Sequence, residues 1–262
     1  MTKKIVLIII CFTLLIHFTA FGNEDNYQWQ VGEELSYRVR WSFIRLGTVR
    51  VLVHDTLTYD STFVYHIKLF IDSNPLIFFV DMHNVYDSYV DKQFRLRLFS
   101  ALEIIDGIKY DATYKFDYNK KIIHVNMTSM KDPSKTIIED LPLEENVLDG
   151  ATMIYYARAH VHTSETDTLT SFFEAKKGKV FINFQGENDV VEIDALEQPL
   201  KTYYLDGVVQ MKGIAGLTGP YKGWFSQDAQ RPPLKAQLKV FVGSVNIELE
   251  EWKNWSPWLK TP

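Results

Sequence analysis

From Leu35 onward, apolar and polar residues alternate with a period of two. Leu35, Tyr37, Val39 and Trp41 fall on one face of an extended segment, with Ser36, Arg38 and Arg40 on the other. Phe63, Tyr65, Ile67, Leu69 and Ile71 repeat the pattern, and Ile108, Tyr110, Ala112, Tyr114, Phe116 and Tyr118 give its clearest instance. Strands with one buried and one wet face belong to antiparallel sheets, since parallel strands are covered on both sides. Turn-forming pairs and triplets separate the runs: Leu46-Gly47, Ser73-Asn74-Pro75, Asp106-Gly107, Asn119-Lys120, Asp206-Gly207 and Gly243-Ser244. Many short strands joined this way predict an all-β, mainly antiparallel meander. Accumulated twist must curl so large a sheet into a half-barrel or barrel-like form.

One segment departs from this period. In NVLDGATMIYYARAHV, Asp149 is placed to cap a helix in which Met153, Ile154, Tyr156, Ala157 and His160 recur at helical spacing. No repeat or long linker divides the chain, so residues 23–262 read as a single β-rich domain around one mid-chain helix.

The first 22 residues read as a cleavable export signal. Lys3 and Lys4 precede an apolar run over residues 5–18, and Ala20-Phe21-Gly22 supplies small residues where a signal peptidase cuts. A periplasmic or secreted location is the expectation. Cys11, the only cysteine, lies inside that run, so the mature chain forms no disulfide and carries no thiolate chemistry. Loss of Lys3 and Lys4 takes the formal net charge from −5 to −7, a balance that argues against a nucleic-acid partner.

No motif points to catalysis. The chain lacks a Gly-x-Ser-x-Gly elbow and a phosphate-binding glycine loop. Its acids, such as Glu144-Glu145 and Glu250-Glu251, read as solvated surface. His54, His66, His83 and His124 stand singly in strand-like segments, and His160 and His162 lack further ligands, so no metal and no cofactor are expected. The chemically most suggestive stretch is GLTGPYKGWFSQDAQRPPLK, read as a long Gly/Pro loop. There Tyr221, Trp224, Phe225, Asp228 and Arg231 gather as the candidate ligand- or partner-binding group. The simpler role for Trp224 and Phe225, and for Trp252, Trp255 and Trp258, is to plug the open end of the sheet. Asp228 and Arg231 are spaced to pair across the loop, and a two-residue turn at Gly243-Ser244 predicts a terminal hairpin.

Three stretches together resemble DUF3108, a bacterial exported family of unknown function. They are VGEELSYRVRWSFIRLGTVRV, through Gly32, Glu33, Leu35, Tyr37, Trp41 and Gly47; LDGATMIYYARAH, through Asp149, Tyr155, Tyr156 and Arg158; and the segment carrying Asp228, Arg231, Pro233 and Gly243-Ser244. The resemblance spans about residues 31–250 and implies a β-rich envelope protein with no catalytic residues to transfer. Pro232 and the Trp-rich tail depart from the family pattern. Residues and resemblance together lead to a non-enzymatic binding or envelope-assembly module, its partner a lipid-like ligand or an envelope protein. A hydrolase of envelope glycans and a purely structural component are the alternatives.

Overall fold

The computed structural model describes residues 27–77, 82–105, 108–143, 147–211 and 218–257. The expected leader, the Asp106-Gly107 turn, Glu144-Glu145 and Trp258 lie outside them. The first half is a run of hairpins: β1 (Glu34–Trp41), β2 (Ile44–Tyr59), β3 (Thr62–Ser73), β4 (His83–Val90), β5 (Leu96–Ile105), β6 (Ile108–Asp117), β7 (Ile122–Ser129) and β8 (Ile137–Pro142). A short β9 (Val147–Leu148) leads into the helix α1 (Gly150–His160). The second half follows as β10 (Thr166–Phe173), β11 (Lys176–Val191), β12 (Leu200–Val209), β13 (Gly219–Ser226), β14 (Pro233–Lys239) and β15 (Ser244–Lys253).

Among the described residues fifteen strands form one sheet, ordered β8 to β1, then β15 down to β9. Every pairing is antiparallel except β9 with β10. The first and last strands meet at its centre, with Leu35 opposite Trp252 and Trp41 opposite Val245. Side chains show the curl directly. Phe172 on β10 stands edge-on to Tyr114 on β6, with ring centroids 5.1 Å apart, although these strands lie near opposite ends of the order. Tyr86 on β4 likewise meets Phe173 at 6.3 Å. Among the described residues no ladder joins β8 to β9, so the sheet is a strongly curled, open half-barrel with α1 against its inner face.

The alternation read from β6 holds along its length: Tyr110, Ala112, Tyr114 and Phe116 are all buried. Asp149 caps α1 as expected, its Oδ1 accepting from the Thr152 N–H at 2.7 Å. Its other oxygen accepts from Ser88 Oγ on β4, which fixes the helix to the sheet. The buried helix surface differs from the expected one. Ala151, Thr152, Tyr155, Arg158 and Ala159 face inward with Ala157, whereas Met153, Ile154, Tyr156 and His160 stay half-buried.

Two glycines taken as turns lie within strands. Gly47 sits inside β2, where a Cβ would meet the Asp72 carbonyl of β3 at 2.2 Å; Gly207 sits inside β12, where it would meet the Phe181 carbonyl at 1.9 Å. Close backbone approach, not reversal of the chain, requires these glycines. The stretch from Gly219 is also no loop: residues 219–226 are β13, and only 227–232 connect it to β14. The terminal hairpin forms, but through residues 240–243, with Gly243 at φ 76° and the Val240 N–H donating to the Gly243 carbonyl at 3.2 Å.

Candidate functional site

Because β13 is a strand, its side chains alternate between faces. Tyr221, Gly223 and Phe225 point toward α1, and Trp224 points away. On the outer face the Trp224 indole donates to Asp189 at 2.9 Å and rests on Tyr204 at 5.5 Å. On the inner face the small residue Gly223 pairs with Ala236, which pairs in turn with Ile247. Opposite them, α1 presents Met153 and Ile154 between the small residues Gly150 and Ala157. Small residues on both surfaces leave space unfilled between sheet and helix, an apolar cavity of about 240 Å³ walled further by Tyr37, Tyr221 and Phe225. Its described lining contains no carboxylate, histidine or cysteine, and its charged members are Lys222 and Lys235. Lys222 is exposed, and Lys235 lies 3.6 Å from Glu248.

Beside the cavity, the β13–β14 connection is held by polar contacts. Asp228 accepts from Ser226 Oγ at 2.6 Å, the Gln230 N–H at 2.8 Å, the Arg231 N–H at 3.0 Å and the Trp255 indole at 2.9 Å. Arg231 adopts φ 48° and is buried, with Nη1 3.1 Å from His162 Nδ1. Asp228 therefore meets Arg231 through the main chain, where a side-chain pair across the turn was expected. Trp255 is buried, packs on Trp252 at 5.2 Å and closes this side of the core, as the plugging role requires.

Under the helix lies Arg158, fully buried. Its Nη1 and Nη2 donate to the two oxygens of Glu33 at 2.5 and 2.7 Å, and its Nε and Nη2 donate to the Gln230 carbonyl at 3.0 and 2.8 Å. The guanidinium lies 5.4 Å from the Tyr27 ring and 5.0 Å from Tyr155. Burial by itself would disfavour its charge, but the surrounding Tyr27 and Glu33 hold its pKa well above the usual value. Burial also pushes the Tyr27 and Tyr155 phenols far up, so both stay neutral. Trp29 is stacked between Tyr65 at 4.5 Å and Tyr155 at 4.7 Å. The chain before β1, the helix and the β13–β14 connection thus meet in one buried assembly.

Of the five residues singled out from sequence, Tyr221 and Phe225 line the cavity, Asp228 and Arg231 build the support beside it, and Trp224 lies on the outer surface. The helical wall and the Glu33–Arg158 pair were not read as part of the site. Their signals were present: Met153, Ile154 and Ala157 in the helical repeat, and Glu33 and Arg158 among the family-like residues.

No curated protein matches the chain. Solved structures similar to it include a β-barrel-like protein of the domain of unknown function DUF1849 from Brucella abortus, with a TM-score of 0.49 and 11% identity over 85% of this chain and 97% of that one. A candidate exported protein with a YmcC-like fold from Bacteroides fragilis gives a TM-score of 0.35 and 8% identity over 87% and 98% of the two chains. A candidate lipoprotein from Parabacteroides distasonis gives 0.37 and 9% over 87% and 97%. The family model DUF3108, a protein of unknown function, matches residues 36–250, from the third residue of β1 into β15 and therefore across both halves of the sheet, the helix and the cavity; the chain belongs to the DUF3108 family.

Proposed function

We propose that the protein is a non-enzymatic envelope module that holds the apolar chain of an amphiphile between α1 and the inner face of β11–β15. The cavity is the observation that carries this reading: its walls are almost wholly hydrocarbon, and its charge is confined to two lysines. Ligand sites are typically apolar with a few polar anchors. A volume of about 240 Å³, below the ~300–1,000 Å³ of ordinary ligand pockets, suits one slender chain better than a bulky body. The lining offers no acid–base pair for hydrolysis. Lys3 and Lys4 before an apolar run support a location outside the cytoplasm.

The test is titration with a dansyl-labelled fatty acid. The native protein should bind it with enhanced, blue-shifted emission. Ala236→Trp, which fills the cavity from its sheet side, should weaken binding at least tenfold while thermal unfolding stays cooperative. Equal binding by both proteins would overturn the reading.

A further inference from the structure

On the outer face, far along the β2–β3 hairpin from the cavity, three residues converge that sequence alone leaves apart. In a regular strand His54 and Asp55 would point to opposite sides. The register slips here: Val53 pairs with Ile67 and Asp55 with His66, leaving His54 as the extra residue of a bulge. Bulges re-aim side chains and occur often beside functional sites. As a result His54, Asp55 and His66 each offer a ligand atom, all within 4.8 Å of one another.

His66 is the fixed member of the group. It is 8% exposed and lies flat on Tyr89, with centroids 4.4 Å apart at 11°. His54 stands edge-on to it at 5.3 Å. His66 Nε2 is 2.6 Å from Asp87 Oδ1, which Lys68 Nζ also holds at 2.8 Å. On the other side, His66 Nδ1 lies 3.2 Å from Asp55 Oδ1. A neutral imidazole has a single N–H. Donated across the shorter contact to Asp87, that proton leaves the Nδ1 lone pair facing a carboxylate oxygen. Nδ1 is therefore the ring nitrogen turned toward Asp55.

We propose that His54, Asp55 and His66 bind a divalent transition-metal ion of the imidazole-preferring class that includes zinc and copper, with Asp87 fixing the His66 tautomer from behind. Two imidazoles and one carboxylate leave a fourth position for water, the donor set of an open zinc site. Asp87 occupies the place of the carboxylate that orients metal-bound histidines. Tetrahedral ligands around zinc lie about 3.3 Å apart, from bonds of ~2.0 Å, so the spread of 4.8 Å must contract. The side chains of His54 and Asp55 are 48% and 55% exposed, so both have room to turn inward.

Calorimetric titration of metal-stripped protein with zinc at pH 7.5 tests this, with cobalt as a spectroscopic probe. One equivalent should bind, and cobalt should give the visible bands of a tetrahedral site. His54→Ala and His66→Ala should abolish that event, Asp87→Asn should weaken it 10- to 100-fold, and His83→Ala and His124→Ala should leave it unchanged. If His66→Ala unfolds, His54→Ala reads the site by itself. Native protein that binds no metal, or binds it no better than His54→Ala, would overturn the proposal.

Discussion

Glu33 and Arg158, 125 positions apart, close a two-bond ion pair that solvent does not reach. It ties the residue before β1 to the last turn of α1, and through the Gln230 carbonyl to the connection before β14.

Removing one member of such a pair strands the other charge in the core. Arg158→Ala should therefore cost about 3–5 kcal/mol, and replacing both residues together by apolar ones of similar volume should cost less than either single change. Urea unfolding of the three variants checks this. A double variant as unstable as the sum of the singles would show that the two residues act separately.

Phe225 and Trp224 are neighbours on β13 with opposite environments. Phe225, 5% exposed, packs between α1 and the sheet, so Phe225→Ala should lower stability by ~3–5 kcal/mol. Trp224, half-buried on the outer face, would lose its indole hydrogen bond to Asp189 and its packing on Tyr204, so Trp224→Ala should cost less, about 1–2 kcal/mol. Thermal melts of both variants give the comparison. A larger loss for Trp224 would reverse the assigned faces.

Glu103 on β5 is 3% exposed and accepts the Tyr114 hydroxyl at 2.6 Å. Burial, aided by the neighbouring Glu174 charge, raises its carboxyl from 4.5 to about 7. A folded-state pKa above the unfolded one means the native protein binds this proton more tightly. The resulting stability is full below about pH 4.5 and is lost as pH rises through 7. The loss is on the order of 2–3 kcal/mol. Glu103→Gln should flatten this part of the stability profile and melt higher than the native protein at pH 8. An unchanged slope would place the titration elsewhere.

Alternation was legible wherever one strand face is wet, as in β6, because Lys109, Asp111 and Lys115 mark solvent as clearly as Tyr110 and Tyr114 mark the core. It failed where glycine and proline serve packing. Gly219 and Pro220 open β13, where proline is tolerated at a strand start, and Gly223 makes room for the Phe225 and Leu205 side chains. Composition made that stretch look like a loop. The helix was found from its cap and repeat, yet its inward face was misjudged, because a charged Arg158 reads as surface until Glu33 is brought to it. Convergence of His54 with His66 could not be read at all, since it depends on a register slip between two strands.

Placing the first strand beside the last has a consequence for how the molecule is made. A growing chain delivers β1 before its partner β15, which follows every other described strand in the sequence. Until then β1 is an open edge carrying Leu35, Tyr37 and Val39, able to pair with any extended segment nearby. The seam between the halves closes only once β15 has been made, by a pairing of long sequence separation that is slow to form. A chain cut short before Ser244 would keep both meanders and lose the seam, exposing β1 and β14 as two adhesive edges. Such fragments should accumulate as aggregates, not as half-sized folded proteins.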